Sequence, residues 1–247
     1  MRLLIAMPVY NELKYVDAVL AKVKRYHPEI LVIDDGSTDG TGGRLAARTD
    51  IQLIRHPENR GYGQSLIDAF QFADVHGYDW VITMDCDEQH EPEMIPEFIQ
   101  YIKTDEWDII SGSRYLENRP GDDLPPGDRR AINATMTATI NELFGWNLTD
   151  SFCGFKAHRV SAMRKLDLNV PGYAFPMQLW PQAYCAELRI KEIPVRLIYN
   201  DPNRHFGGML DDAANRLAHY KSVLEAEVKL VEECRASAEP ACCCGCE

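Results

Sequence analysis

No stretch of this chain approaches the roughly 20 uninterrupted apolar residues that a helix needs to cross a bilayer, so an integral membrane protein is not expected. Cations are in the minority, with 26 Lys and Arg against 38 Asp and Glu. The resulting net charge of -12 excludes a nucleic-acid partner as the main reading, because a phosphate backbone is held by clustered Lys and Arg. Any phosphate ligand must therefore be met locally. A secretory leader is also missing. The opening run Leu3-Leu4-Ile5-Ala6-Met7 is too short, ends at Pro8 and leads straight into Asn11-Glu12, so it reads as a buried strand. The sequons Asn133-Ala134-Thr135 and Asn147-Leu148-Thr149 then count as chance matches, and a cytoplasmic protein, at most touching the membrane surface, is expected. Zinc-type Cys and His spacing is absent too. Of eight cysteines, Cys86, Cys153, Cys185 and Cys234 are scattered, as in a reduced chain, and the other four crowd into Cys242 to Cys246. We read residues 1–235 as one domain and 236–247 as a Cys-rich mobile tail, with soft-metal binding or acylation as its alternatives.

What is present is an ordinary globular composition, 45% apolar and 26% charged, arranged as alternating strand and helix patterns. Apolar runs at Leu3 to Val9, Ile30 to Ile33, Ile51 to Ile54 and Trp80 to Met84 are separated by helical periodicities such as Leu66, Ala69, Phe70 and Ala73. Continuous apolar strands linked by helices predict a mostly parallel central sheet covered on both faces, an α/β fold. Ligands of such sheets bind beyond the carboxyl ends of the strands. Those ends carry Pro8-Val9-Tyr10-Asn11-Glu12, then Asp34-Asp35-Gly36-Ser37-Thr38-Asp39, and then Asp85-Cys86-Asp87. Alternation along a strand turns Asp85 and Asp87 the same way and sends Cys86 into the wall. Two carboxylates so close stay ionised together around a hard cation, Mg²⁺ or Mn²⁺, which would carry a diphosphate. The pattern describes a nucleotide site without a Gly-rich phosphate loop. A solvated loop capping the helix that begins near Glu91-Pro92-Glu93 is the competing reading.

Beyond the strand Ile109-Ile110-Ser111-Gly112 come Ser113-Arg114-Tyr115 and a stretch rich in Pro, Gly and Asp through Pro126, which predicts a surface loop. It ends in Arg129-Arg130 at the start of a helix carrying Ile132, Met136, Ile140 and Leu143. Arginines oppose the helix dipole there, so an anionic partner or plain solvation accounts for them. Asp150-Ser151-Phe152-Cys153-Gly154-Phe155-Lys156, a helix, a strand over Ile193 to Tyr199 and a long closing helix from Leu210 follow.

In order, Met7 to Glu12, Val32 to Thr41, Asn59-Arg60-Gly61-Tyr62-Gly63, the Asp85-Cys86-Asp87 element with Gln89, Gly112 to Tyr115, and Asp150 leading into Gly154-Phe155 resemble the inverting glycosyltransferase family 2, of GT-A fold. Within it the chain most resembles the dolichyl- and polyprenyl-phosphate mannose synthases. That resemblance implies a metal-dependent inverting hexosyltransferase, with Pro8, Tyr10, Glu12, Asp35 and Asp85 on the donor nucleotide and Asp85, Asp87 and Gln89 on Mg²⁺ or Mn²⁺. GDP-mannose and UDP-glucose are the implied donors. If the acceptor is a lipid phosphate, Arg114 with Arg129 or Arg130 would clamp it. If it is a sugar hydroxyl, a base is needed, and Asp150 is the candidate. His205, in Asn203 to Gly208, is a candidate extra metal ligand. The chain departs from the branch at Gln178, where a glutamate is usual, and in lacking appended membrane segments. A sugar nucleotidyltransferase would carry a Gly- and Arg-rich loop where Tyr10-Asn11-Glu12 stands, and a non-catalytic nucleotide-sugar binder is the remaining alternative.

Overall fold

Seven short segments assemble into one sheet in the order β3-β2-β1-β4-β6-β5-β7. They are β1 (Leu3–Val9), β2 (Ile30–Asp34), β3 (Gln52–Arg55), β4 (Trp80–Thr83), β5 (Ile109–Ser113), β6 (Lys156–Arg159) and β7 (Ile190–Pro194). The computed structural model describes residues 1–117, 119, 121–200 and 205–238, the last five by backbone alone. Every pairing is parallel except those of β6, which runs antiparallel to β4 and β5. Eight α-helices among the described residues surround the sheet: α1 (Val16–Val23), α2 (Thr41–Ala46), α3 (Tyr62–Val75), α4 (Ile95–Lys103), α5 (Gly127–Phe144), α6 (Val160–Met163), α7 (Phe175–Cys185) and α8 (Ala213–Ala238).

The two-residue period of β1 feeds two cores. Leu4 and Ala6 pack with Phe70 of α3, Met136 of α5 and Trp180 of α7, whereas Ile5 and Met7 pack with Leu20 of α1 and Phe98 of α4. Both faces of the strand are therefore buried, which is why its sequence reads as an unbroken apolar run. Each fully buried Leu or Ile contributes about 1.5–3 kcal/mol to this packing.

Two expected elements differ from those observed. β6 went unseen because Lys156-Ala157-His158-Arg159 is polar, and the strand is set by its neighbours, pairing Ala157 with Ile82 on one side and Ile110 on the other. The last strand was expected over Ile193 to Tyr199 but ends at Pro194. Val195 N still donates to Ser113 O at 2.9 Å. Beyond it the segment leaves the ladder, and Asp122 and Asp123 take the amides of Leu197 and Tyr199 at 3.3 and 2.7 Å. The long closing helix starts at Ala213, with Leu210 in a single-turn 3₁₀ helix before it. Its backbone runs through Ala238, past the expected boundary at residue 235, and the cysteine cluster lies outside the described residues.

Gln178 has a structural task. Fully buried on α7, it donates to Glu227 of α8 at 2.6 Å while its carbonyl oxygen receives the amides of Asn169 and Val170 at 2.7 and 2.9 Å. Gln182 adds a second donor to Glu227 at 3.1 Å. A buried carboxylate is thus satisfied by two neutral amides, and α8 is fixed in register on the body.

Candidate active site

The loops leaving β1 and β2 are stapled together before any ligand arrives. Asn11 adopts a left-handed conformation, φ 57°, which Asn tolerates better than most residues. Its side-chain oxygen accepts from Thr38 N at 2.8 Å, and its own amide donates to Ser37 Oγ at 2.9 Å. Gly36, at φ 73°, lies so close to the backbone of Glu58 and Asn59 that no Cβ fits. These contacts bound a cleft of about 810 Å³ at the carboxyl edge of the sheet.

All five expected donor-binding residues, Pro8, Tyr10, Glu12, Asp35 and Asp85, border that cleft. Tyr10 is 45% exposed, an aromatic face free to lie against a base, while Glu12 and Asp35 are buried. Asp34 is turned away from the cleft and paired with Arg55 at 3.0 Å, so the two adjacent aspartates have different tasks. Asp35 receives the amides of Arg60 and Gly61 at 2.8 and 2.9 Å, and its Oδ1 lies 2.6 Å from His56 Nδ1. His56 Nε2 meets Asp68 Oδ2 at 2.7 Å.

β4 ends at Thr83, and the carboxylate pair follows in a loop where Glu88 takes φ 61°. Asp85 and Asp87 border the cleft and Cys86 between them is buried in the apolar layer, although the three lie in a loop and not, as expected, on the end of the strand. Tyr62 OH donates to Asp85 Oδ1 at 3.1 Å. Gly154 leaves the room for this contact, since a Cβ there would sit 3.1 Å from Asp85 Oδ2 and collide with the Tyr62 hydroxyl. His90 supports the loop from beneath, its Nδ1 accepting from Asp85 N at 2.9 Å and its ring stacked on Phe155. Burial pushes the His90 imidazole down to about 4, so it stays neutral and an acceptor.

The donor set fits a hard divalent cation. Two carboxylates point at one edge of the cleft, and Gln89 beside them has a buried Nε2 without a hydrogen-bond partner, so its amide is not committed to the protein framework. Among the described residues no three His, Cys, Asp or Glu side chains form a cage, which leaves positions for phosphate and water. His205, the candidate extra ligand, lines the same cleft and lies 3.7 Å from Asp211.

The opposite half of the cleft is cationic. Arg114, at the end of β5, is held by Asp150 through its Nε and Nη2 at 2.7 and 3.0 Å and through its own amide at 3.2 Å. Asp150 also accepts from Asn133 Nδ2 at 2.7 Å and from the amides of Phe152 and Cys153 at 3.1 and 3.2 Å. Burial alone would push this carboxyl up, but the Arg114 charge and these donors outweigh it and hold it well below the usual range. Asp150 is fully buried and does not border the cleft. Asp150, the candidate base, is thus engaged by six donors away from the cleft lining, in a position that holds Arg114 in place.

Arg129 borders the cleft at the start of α5, with its guanidinium over the ring of Phe206 at 4.7 Å. Arg130 does not. Its guanidinium lies over the ring of Tyr115, itself a cleft residue, at 3.8 Å, about 100° around the helix from Arg129. The sequence reading missed Arg216, from the first turn of α8, which borders the cleft although only 2% exposed. It is anchored by Asp128 and by Leu210 O at 2.7 Å and covers the other contact of Phe206 at 4.5 Å. No local signal marks Arg216, since at four residues from Asp212 it reads as an ordinary helical ion pair.

A mostly parallel sheet with carboxylates on the β2-β1-β4 half of its ligand edge and arginines beyond β5 defines a GT-A nucleotide-diphospho-sugar transferase. The chain belongs to glycosyl transferase family 2, whose profile matches residues 4–167. The undecaprenyl-phosphate mannosyltransferase of Micrococcus luteus is 29% identical over 226 residues, covering 86% of this chain and 91% of its own. The polyprenol monophosphomannose synthase of Mycolicibacterium smegmatis is 28% identical, covering 78% of this chain and 76% of its own. Among solved structures, glucosyl-3-phosphoglycerate synthase of Mycobacterium tuberculosis, in complex with Mn²⁺, UDP-glucose and phosphoglyceric acid, superposes with a TM-score of 0.70 at 19% identity, covering 92% of this chain and 80% of its own.

Proposed function

We propose that this glycosyltransferase moves a hexosyl unit from a nucleoside diphosphate sugar to a phosphate oxygen of a polyprenyl phosphate, with inversion. The observation that carries this reading is the state of Asp150. A hydroxyl acceptor must lose a proton as it attacks, whereas a lipid phosphate arrives as an anion and needs no base. Asp150, buried and saturated, instead orients Arg114 beside Arg129 and Arg216, an end of the cleft built to hold an anion. The named acceptors of the Micrococcus and Mycolicibacterium relatives favour the same choice.

In this reading Tyr10, Glu12 and Asp35 hold the nucleoside, and Asp85, Asp87 and Gln89 hold Mg²⁺ or Mn²⁺ against the diphosphate. The cation supplies charge neutralisation for the departing nucleoside diphosphate. Arg114 and Arg129 orient the acceptor phosphate toward the anomeric carbon, and Tyr62 fixes the position of Asp85. The sheet and its helices through α8 act as a single catalytic unit with α8 as one wall. No described helix is long and apolar enough to cross a membrane. We place the enzyme at the cytoplasmic membrane surface, where its acceptor resides.

The test is a lipid-product assay with purified protein, Mn²⁺, a labelled donor from the GDP-mannose and UDP-glucose pair, and a short polyprenyl phosphate. Arg129→Ala is expected to raise the KM for the lipid phosphate about 10- to 100-fold, the worth of a charge-assisted hydrogen bond, and to leave the donor KM within about twofold. Equal effects on both constants would remove the clamp assignment.

A further inference from the structure

The hydrogen-bond inventory of Asp35 bears on which nucleobase the cleft accepts, and the inference rests on the reading of this cleft as a nucleotide-sugar site. An ionised carboxylate offers about four acceptor positions, two on each oxygen. On Oδ1 both are taken, by the amide of Arg60 at 2.8 Å and by His56 Nδ1 at 2.6 Å. On Oδ2 one is taken, by the amide of Gly61 at 2.9 Å. One position remains, and Asp35 borders the cleft.

His56 has no freedom to release Oδ1. It is 5% exposed, its backbone amide is fixed to Asp34 O at 2.9 Å, and its Nε2 is held 2.7 Å from Asp68 Oδ2. Asp68 is itself held by Gln64 Nε2 at 2.8 Å, with Arg60 at 3.8 Å. At 2.6 Å the Nδ1 of this fixed ring is in hydrogen-bond contact with Oδ1 and occupies one position on that oxygen.

We infer that His56, braced by Asp68, leaves Asp35 a single acceptor and so selects a base with one ring N–H, the uracil or thymine type, over guanine. Guanine presents two adjacent donors, its ring N–H and its exocyclic amine, which a carboxylate satisfies with both oxygens. Against one acceptor it leaves a buried donor unpaired, a loss on the order of tenfold in affinity or more. Cytosine and adenine have no ring N–H to offer at all. His56 is thus a specificity-positioning residue, acting through Asp35 without touching the substrate.

The experiment is calorimetric binding of UDP, dTDP, GDP and CDP to the full chain with Mn²⁺, for wild type, His56→Ala and His56→Gln, with circular dichroism of each variant. UDP, dTDP or both are expected to bind wild type at least about tenfold more tightly than GDP and CDP, the two arms separating uracil from thymine. Removing His56 frees Oδ1, so the pyrimidine-to-guanine ratio is expected to shrink at least about threefold in a folded variant. A merely structural role would weaken all four ligands together. GDP binding wild type as tightly as UDP and dTDP, or a ratio unchanged in both folded variants, overturns the inference while leaving the nucleotide site standing. Failure of all four diphosphates to bind wild type overturns the underlying reading of the cleft as well.

Discussion

At the scale of single residues, the division of labour between neighbours is the main result. Asp34 and Asp35 are adjacent, yet one is an internal partner of Arg55 and the other faces the cleft. Arg129 and Arg130 divide likewise, so Arg130→Ala is expected to change the acceptor KM less than about twofold where Arg129→Ala changes it at least about tenfold. Asp87→Asn removes a carboxylate of the proposed cation site and is expected to lower turnover about 100-fold, with EDTA bringing wild type down to the same level. His158 gives the fold a pH dependence. It is 1% exposed, and burial pushes its imidazole down to about 3. The unfolded chain therefore binds the extra proton, and stability falls as pH drops through the unfolded His value near 6.5. Between pH 7 and pH 5 the loss is about 2 kcal/mol, and thermal unfolding of His158→Gln across that range is expected to lack this increment. The cleft carboxylates, Arg114 and Arg129 were legible because chemistry restricts such residues to few uses, whereas Arg216 was not. Whether a given arginine faces inward was not legible, because it depends on where a helix begins.

At the scale of elements, the parallel β-α units were readable because strands buried on both faces must be apolar throughout. β6 was not, because a polar strand exists only through its two neighbours. That the closing helix packs on the body was readable, but the contact that fixes it was not, since Gln178 and Glu227 lie 49 positions apart. Gln178→Glu would set two buried carboxylates against each other and is expected to destabilise the α7-α8 contact by about 2 kcal/mol at pH 8. Like charge raises the shared carboxyl above its unfolded value, so the penalty is expected to shrink toward pH 5, where one carboxyl is protonated. Urea unfolding at the two pH values, with limited proteolysis reporting release of α8, measures both effects. An equal loss at pH 5 and pH 8 would show that packing, not charge, sets the contact.

Over the whole molecule, a net charge of -12 coexists with a cleft whose far half is cationic. The sheet order explains the arrangement, since β2, β1 and β4 are neighbours and deliver the donor-side carboxylates, while β5 lies beyond β6 and delivers Arg114. In the proposed reading donor and acceptor would lie on opposite halves of one edge, which suits attack from the face away from the leaving diphosphate. The central claim is that the nucleophile is already an anion. Product formation from one labelled donor with Mn²⁺ should therefore be compared for a polyprenyl phosphate and the polyprenol of the same chain length. The account expects glycosyl transfer to the phosphate and none above background to the alcohol. Comparable transfer to the alcohol would contradict it, because that reaction needs a base this cleft does not supply from Asp150.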